Sequence, residues 1–109
     1  MSNTIIKIEN WSKQRNLDTA DPYKQMLKLI EEVGELAHAM ARGNNDLVVD
    51  SIGDIVVVLT ILSQQMGLRI EDCINYSYDV IKDRNGKMIN GVFVKEEDLK
   101  WVKASLKGF

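Results

Sequence analysis

The chain of 109 residues has one cysteine, one proline and one histidine, and only 6% of it is aromatic. A lone Cys73 cannot form an internal disulfide, and with no second Cys or clustered His it gives no zinc site. That usage suits a reducing, cytoplasmic compartment. An excess of basic charge is missing too. Fourteen Lys and Arg stand against sixteen Asp and Glu, for a net charge of −2. No basic field is available to track phosphates along a polymer, so nucleic acid is not expected as a partner. No glycine-rich phosphate loop is present, which disfavours a P-loop NTPase or a kinase. No basic segment followed by an apolar core opens the chain, so a signal peptide is not expected. The longest apolar run is too short to span a bilayer, and no membrane partner is expected. Repeats, low-complexity segments and linkers are absent as well.

What remains is ordinary for a folded soluble protein, with 45% hydrophobic and 28% charged residues. The length suits a single small domain over residues 1–109, with a short extended or tail segment from about residue 86.

The unusual feature is a pair of carboxylate clusters. Glu31, Glu32 and Glu35 lie on one probable helix, and Asp50 and Asp54 on the next. Residues three or four apart on a helix share a face, so these acids crowd one another, and like charges at that spacing repel. A hard divalent cation would offset the repulsion, because Mg²⁺ takes oxygen ligands and keeps waters and phosphates in its shell. An acidic run on a helix also serves as a plain solvated face. Asp54 argues against that simpler reading. It stands at the mouth of Ile55 to Leu62, where every residue but Thr60 is apolar. A charge there is costly unless paired, protonated or metal-bound. The only basic residue near it in sequence is Arg42. Gly53, unfavourable in a helix by roughly 1 kcal/mol relative to Ala, would suit the close approach of a helix or a ligand.

Taken in order, Ser2, Asn3 and Thr4 are candidate caps for a first helix through about Gln14. Ile5, Ile8 and Trp11 share one of its faces, so Trp11 is either core or an aromatic flank for a nucleobase. Asp21-Pro22 opens a second helix to about Arg42, with Asp as cap and Pro in the first turn. Met26, Ile30 with Leu29, Val33, Leu36 with Ala37, and Met40 form its apolar stripe. Glu32 borders that stripe, and Lys28, Glu31 and Glu35 lie away from it. His38 reads as an exposed residue of the polar face. Gly43 ends this helix. A third helix runs from about Asp46 to Met66, its length outweighing the β-branched Ile-Val-Val-Val run. The short loop between them makes these two helices an antiparallel pair that brings Glu and Asp clusters face to face. A fourth helix covers about Ile70 to Arg84. Its polar stripe of Asp72, Asn75, Asp79 and Lys82 is a solvated face or the wall of a phosphate site. Asn90-Gly91 marks a tight turn between two short extended arms. Glu96 to Phe109 is a charged tail with a helical turn or two around Leu99, Trp101 and Val102. The expected fold is all-α, a four-helix bundle-like protomer. The third helix is apolar on more sides than the second can cover, which predicts a homodimer or homotetramer with a helical interface.

Four or five carboxylates without a His or Cys ligand set favour Mg²⁺ or Mn²⁺ over zinc. Such a cluster most often serves a phosphorylated substrate, the metal neutralising phosphate charge and positioning a water. Cations for the remaining phosphate charge are at hand in Lys28, Lys82 and Arg84.

The Lys28 to Ala37 run (K-L-x-E-E-x-G-E-L-A), the Asp50 to Ile55 run (D-x-x-G-D-I) and the Arg84 to Lys95 stretch together resemble the MazG-like all-α nucleoside triphosphate pyrophosphohydrolases. The likeness extends from about Trp11 to Asp98. It implies Mg²⁺-dependent hydrolysis of a nucleoside triphosphate, ribo or deoxy, to a monophosphate and pyrophosphate by an oligomeric enzyme. It implies metal ligation by Glu32 and Glu35 and by Asp54. Where the family has an acid three residues before the last ligand this chain has Ser51, and Asp50 would replace it. Glu31 would orient or activate the water. Lys28, Lys82 and Arg84 would hold phosphates, with Asn75 and Asp79 completing that wall, and Trp11 and Gln25 would contact the nucleoside. Two other readings stand beside this one. One is a non-catalytic helical oligomer or interaction module, and the other a divalent-metal pyrophosphohydrolase acting on a phosphoribosyl nucleotide.

Overall fold

The protein is described here over residues 2–101 by a computed structural model. Helix α1 spans Ser2–Gln14, α2 Pro22–Ala41, α3 Asn45–Gln65 and α4 Ile70–Ile81. Strands β1 (Gly86–Ile89) and β2 (Val92–Lys95) follow, and then a single 3-10 turn, Glu96–Asp98. The class is all-α, with one two-stranded sheet. The chain divides into two compact units, residues 1–74 and 75–109, the division falling within α4.

In the first unit, local chemistry sets the helix ends. The Asp21 carboxylate accepts from the Tyr23 N–H at 2.9 Å, and Pro22 takes the first helical position. Asn44 Oδ1 accepts from the Leu47 N–H at 3.2 Å and starts α3. Gly43, at φ +64°, supplies the left-handed residue that lets the chain reverse between α2 and α3. The loop of residues 42–44 is so short that the two helices run antiparallel. Their register agrees, since Gln25 near the start of α2 donates to the Val58 carbonyl on α3 at 3.4 Å, while Ala39 near its end shares a cavity with Leu47.

Leu29 and Leu36 of the expected stripe face inward, but the rest of the inward row of α2 differs from it. Gln25, Leu29, Glu32 and Leu36 are half-buried and Ala39 is buried, whereas Met26, Ile30, Val33 and Met40 are exposed. The core-facing row is thus shifted by one position, and Glu32 sits in it rather than beside it. Opposite it, Ser51, Val58 and Ile61 of α3 are buried, with Asp54 and Ile55 half-buried between them. Thr60, the one polar residue in the apolar run, is fully buried and donates to the Val56 carbonyl at 2.7 Å. Among the described residues nothing lies within 4 Å of a Cβ built on Gly53, so no close approach among them calls for a glycine there.

Helix α1 packs on α3 through Ile5, Glu9 and Ser12, all buried, so Trp11 falls at the edge of its packed face. The amides of Gln64 and Gln65 donate to the Glu9 and Leu17 carbonyls at 3.2 and 2.9 Å. Arg69, just before α4, grips the buried Glu9 carboxylate with two hydrogen bonds of 2.9 and 3.2 Å.

In the second unit, α4 ends at Ile81, three residues before the expected end, and leaves Lys82 and Arg84 beyond the helix. The arms expected around Asn90-Gly91 form an antiparallel hairpin in which Met88 opposes Phe93 and Ile89 opposes Val92. Asn90 and Gly91 both have positive φ, as a two-residue hairpin turn with right-handed strand twist requires. Of the expected tail helix, Val102 onward lies outside the described residues.

Candidate active site

The acids occupy the groove between α2 and α3, where two cavities follow one another along the helical hairpin. The cavity farther from the 42–44 loop has a volume of about 280 Å³ and is lined by Trp11, Leu17, Gln25, Lys28, Glu32, Asp54, Val57, Val58 and Ile61. The cavity nearer the loop, of about 520 Å³, is lined by Glu31, Gly34, Glu35, His38, Ala39, Leu47, Asp50 and Ser51. The carboxylates stand where the two meet, Glu32 and Asp54 on one side and Glu35 and Asp50 on the other.

These acids feel one another. Burial holds the Glu32 carboxyl above the ordinary carboxylate range, and the charges of Glu35 and Asp54 push it the same way. Asp54 is likewise raised, first by burial, then by Asp50 beside it and by Glu35. Lys28 is the cation that acts against both shifts. The basic residue near Asp54 in space is therefore Lys28, one turn before Glu32, and not Arg42. One oxygen of Glu32, Oε2, is buried without a hydrogen-bond partner. A buried carboxylate oxygen left unpartnered is costly, and it is the kind of atom a ligand is expected to satisfy.

Among the described residues, no group of three or more His, Cys, Asp or Glu side chains converges closely enough to form a ready-made metal cage. That is no obstacle to Mg²⁺, which is usually held through one or two protein carboxylates, with waters and substrate phosphates filling the rest of the shell. An all-oxygen donor set and the orphaned Glu32 Oε2 fit such an ion. They do not fit a structural zinc.

Trp11, Gln25 and Lys28, expected to meet substrate, all line the cavity with Glu32 and Asp54. Trp11 is 44% exposed, with the Arg15 guanidinium 4.4 Å from its ring centroid. Glu31 lies in the neighbouring cavity with Glu35 and Asp50. Asn75, Asp79, Lys82 and Arg84 belong to the second unit. There Lys82 pairs with Asp79 at 3.4 Å, and Arg84 shares a depression with Asp83, Glu96 and Glu97. Sequence reasoning missed the apolar wall of Val57, Val58 and Ile61. The signal was available, since these residues follow Asp54 by three, four and seven positions on one helix. It also missed Leu17, which lies outside the helices and carries no periodic signal; His38 is exposed, as expected, and also borders the larger cavity.

A family model described as the MazG nucleotide pyrophosphohydrolase domain matches residues 21–89, more than half of the chain. The chain belongs to the MazG family. The matched span holds α2, α3, α4 and β1, and with them every acid of the groove. At the level of the family, MazG membership points to a hydrolase directed at nucleotides. The chain is also similar to an uncharacterized 18.2 kDa protein in the rep-hol intergenic region of Haemophilus phage HP1, at 47% identity over 62 residues. Those residues are 56% of this chain but only 38% of the phage protein. No solved structure matches the chain. No helix among the described residues is long and apolar enough to cross a membrane.

Proposed function

We propose that this MazG-family chain hydrolyses nucleoside and deoxynucleoside triphosphates to a nucleoside monophosphate and pyrophosphate, with Mg²⁺ as cofactor and Mn²⁺ as a substitute, in the cytoplasm. The observation that carries the reading is the meeting of two acid pairs, Glu32 with Glu35 and Asp50 with Asp54, beside one lysine and an aromatic-edged apolar cavity.

In this reading Glu32, Glu35, Asp50 and Asp54 would hold the metal. When bound, Mg²⁺ would neutralise phosphate charge and make a water more acidic. The chain's own groups do the rest. Lys28 draws the phosphate chain to the acids. Trp11 and Gln25, with Val57, Val58 and Ile61 behind them, take the nucleoside and exclude water from its apolar side. Glu31 orients the attacking water and accepts its proton. The water oxygen bonds to the α-phosphorus, the bond from that phosphorus to the α–β bridging oxygen breaks, and that oxygen leaves with pyrophosphate.

The working form would be a homodimer or homotetramer. Met26, Ile30, Val33 and Met40 on α2 and Val49 and Ile52 on α3 are exposed, and the described buried apolar core is only Ile5, Ala39, Val58, Ile61 and Ile70. So small a core beside so much exposed apolar surface suits a subunit whose outer face is covered by another copy.

The test is pyrophosphate release from a panel of NTPs and dNTPs with Mg²⁺, for wild type and Glu35→Gln. Loss of a metal ligand should lower kcat/KM by at least 100-fold, as removal of a group acting on the transition state does. Release that survives Glu35→Gln, or no release from any nucleotide, overturns the reading. In the second case phosphoribosyl nucleotides are the next substrates to try.

A further inference from the structure

The two cavities differ in chemistry, and that difference gives the groove a direction. The cavity far from the loop offers a flat indole, a primary amide and an apolar floor. These are the groups that hold a nucleoside, since a base stacks on an aromatic face and its polar edge pairs with an amide. The cavity near the loop has no aromatic residue. Its lining is acidic, from Glu31, Glu35 and Asp50, and its only nitrogen-bearing side chain is His38. An anion enters such a place only with a cation beside it; the side chains there that can donate a hydrogen bond to it are the buried Ser51 hydroxyl and the exposed His38 imidazole, and only His38 stands free to turn toward it. A neutral imidazole donates one N–H and a charged one two, so the role holds in either form. From Lys28 to His38 is ten residues, about 15 Å along the helix axis, comparable to an extended nucleotide with its phosphate chain.

We infer that the substrate lies along the α2–α3 groove in one polarity, with the nucleoside at Trp11 and Gln25 and the leaving pyrophosphate in the loop-side cavity, hydrogen-bonded by His38. The inference rests on the proposed hydrolysis for the identity of the substrate, but it assigns an end of the groove to each product. His38 contacts the leaving group, a role that the acid-rich sequence around it concealed.

His38 is the chain's sole histidine, so its imidazole ring protons give one isolated set of NMR signals. Trp101 can be changed to Phe, which leaves Trp11 as the only indole. The experiment titrates this Trp101→Phe chain, with Mg²⁺ present, separately with inorganic pyrophosphate and with deoxyadenosine monophosphate. Pyrophosphate should shift the His38 signals and leave Trp11 emission unchanged. The monophosphate should change Trp11 emission and leave His38 unchanged. His38→Ala should weaken pyrophosphate binding by about tenfold, the worth of one hydrogen bond to a charged group, and leave monophosphate binding as it was. His38 signals that move with the monophosphate, or do not move with pyrophosphate, overturn the polarity. An unchanged pyrophosphate affinity in His38→Ala overturns the contact. Failure of the proposed hydrolysis is read separately, as absence of pyrophosphate release from every nucleotide. Should the two probes still segregate to His38 and Trp11 in that case, the polarity of the groove stands without the reaction.

Discussion

Glu32 on α2 and Asp54 on α3 line one cavity, and the charge of Asp54 helps to hold the Glu32 carboxyl above the ordinary carboxylate range. Among the described residues neither acid has an arginine partner, and Lys28 is the cation that offsets them. At neutral pH the pair therefore costs folding stability.

The sign of the pH effect follows from the direction of the shifts. A carboxyl raised in the folded state binds its proton more tightly there than in the unfolded chain. Stability is then greatest below the ordinary carboxylate range and falls as pH rises through that range to the raised folded values. At neutral pH both groups are penalised. Glu32→Gln and Asp54→Asn should each raise the melting temperature at neutral pH without metal, and should lose most of that advantage at low pH. The same variants should lose nucleotide hydrolysis. Mg²⁺ should stabilise wild type by binding only the folded state, and should stabilise these variants much less. Thermal melts across pH, with Mg²⁺ and with a chelator, check all of this. A neutral-pH melting temperature lowered by both substitutions would count against it.

How much of this could be read from the sequence depends on which signals are local. Asp21-Pro22 and Asn90-Gly91 act through their own neighbours, so the start of α2 and the hairpin turn were legible. The E-E-x-x-E and D-x-x-x-D spacings placed the acids on two antiparallel helices. The inward row of α2 was not legible. The row at 26, 30, 33 and 40 and the row at 25, 29, 32, 36 and 39 lie about 100° apart on the helix, and the first is the more apolar. The fold of one chain uses the second row, Gln25 and Glu32 included, and leaves the more apolar row exposed. Lys28 was hidden as the partner of Asp54 because it is distant in sequence and close only through the hairpin. The end of α4 was misplaced because a long-range contact set it. The Glu96 N–H donates to the Asn85 carbonyl at 2.8 Å, and Gly86 pairs with Lys95, so this segment is drawn into the hairpin.

The exposed row of α2 makes a prediction about assembly. Ile30 and Val33 are 58% and 50% exposed, near the middle of that row. Ile30→Glu combined with Val33→Glu should leave the helical content of the chain unchanged, because neither side chain fills the core. If the row is covered by a second copy, the double variant should run as a monomer in light scattering while wild type does not. An unchanged mass, or a wild type that is already monomeric, would exclude this face as the interface.

Gly53 tests the same question from another side. A methyl group there meets nothing within 4 Å among the described residues. Gly53→Ala should stabilise the protein by about 0.5–1 kcal/mol, because glycine in a helix interior costs that much. A substitution that destabilises instead, or dissociates the oligomer, would show that a second copy or a ligand approaches closely at this point.

The ion pair between Glu9 and Arg69 ties α1 to the start of α4. Glu9 is 7% exposed, and it accepts two hydrogen bonds from the guanidinium. The Arg69 side chain remains half-exposed, so its own desolvation is modest. The two partners should therefore respond unequally. Arg69→Met strands a buried carboxylate and should cost on the order of 2–3 kcal/mol. Glu9→Gln keeps an acceptor oxygen in place and frees an arginine that water can still reach, so it should cost about 1 kcal/mol. Lysine at position 69 keeps the charge but cannot make the fork, and should recover only part of the loss. Denaturant unfolding of the three variants and of the Glu9→Gln/Arg69→Met double variant gives the coupling directly. Trp11 lies two residues beyond Glu9 on the same helix, at the edge of the candidate active site. Loosening this clamp should therefore raise KM for nucleotide more than it lowers kcat, because α1 supplies a binding wall and none of the acids. A fall confined to kcat would mean that the clamp acts on the acids after all.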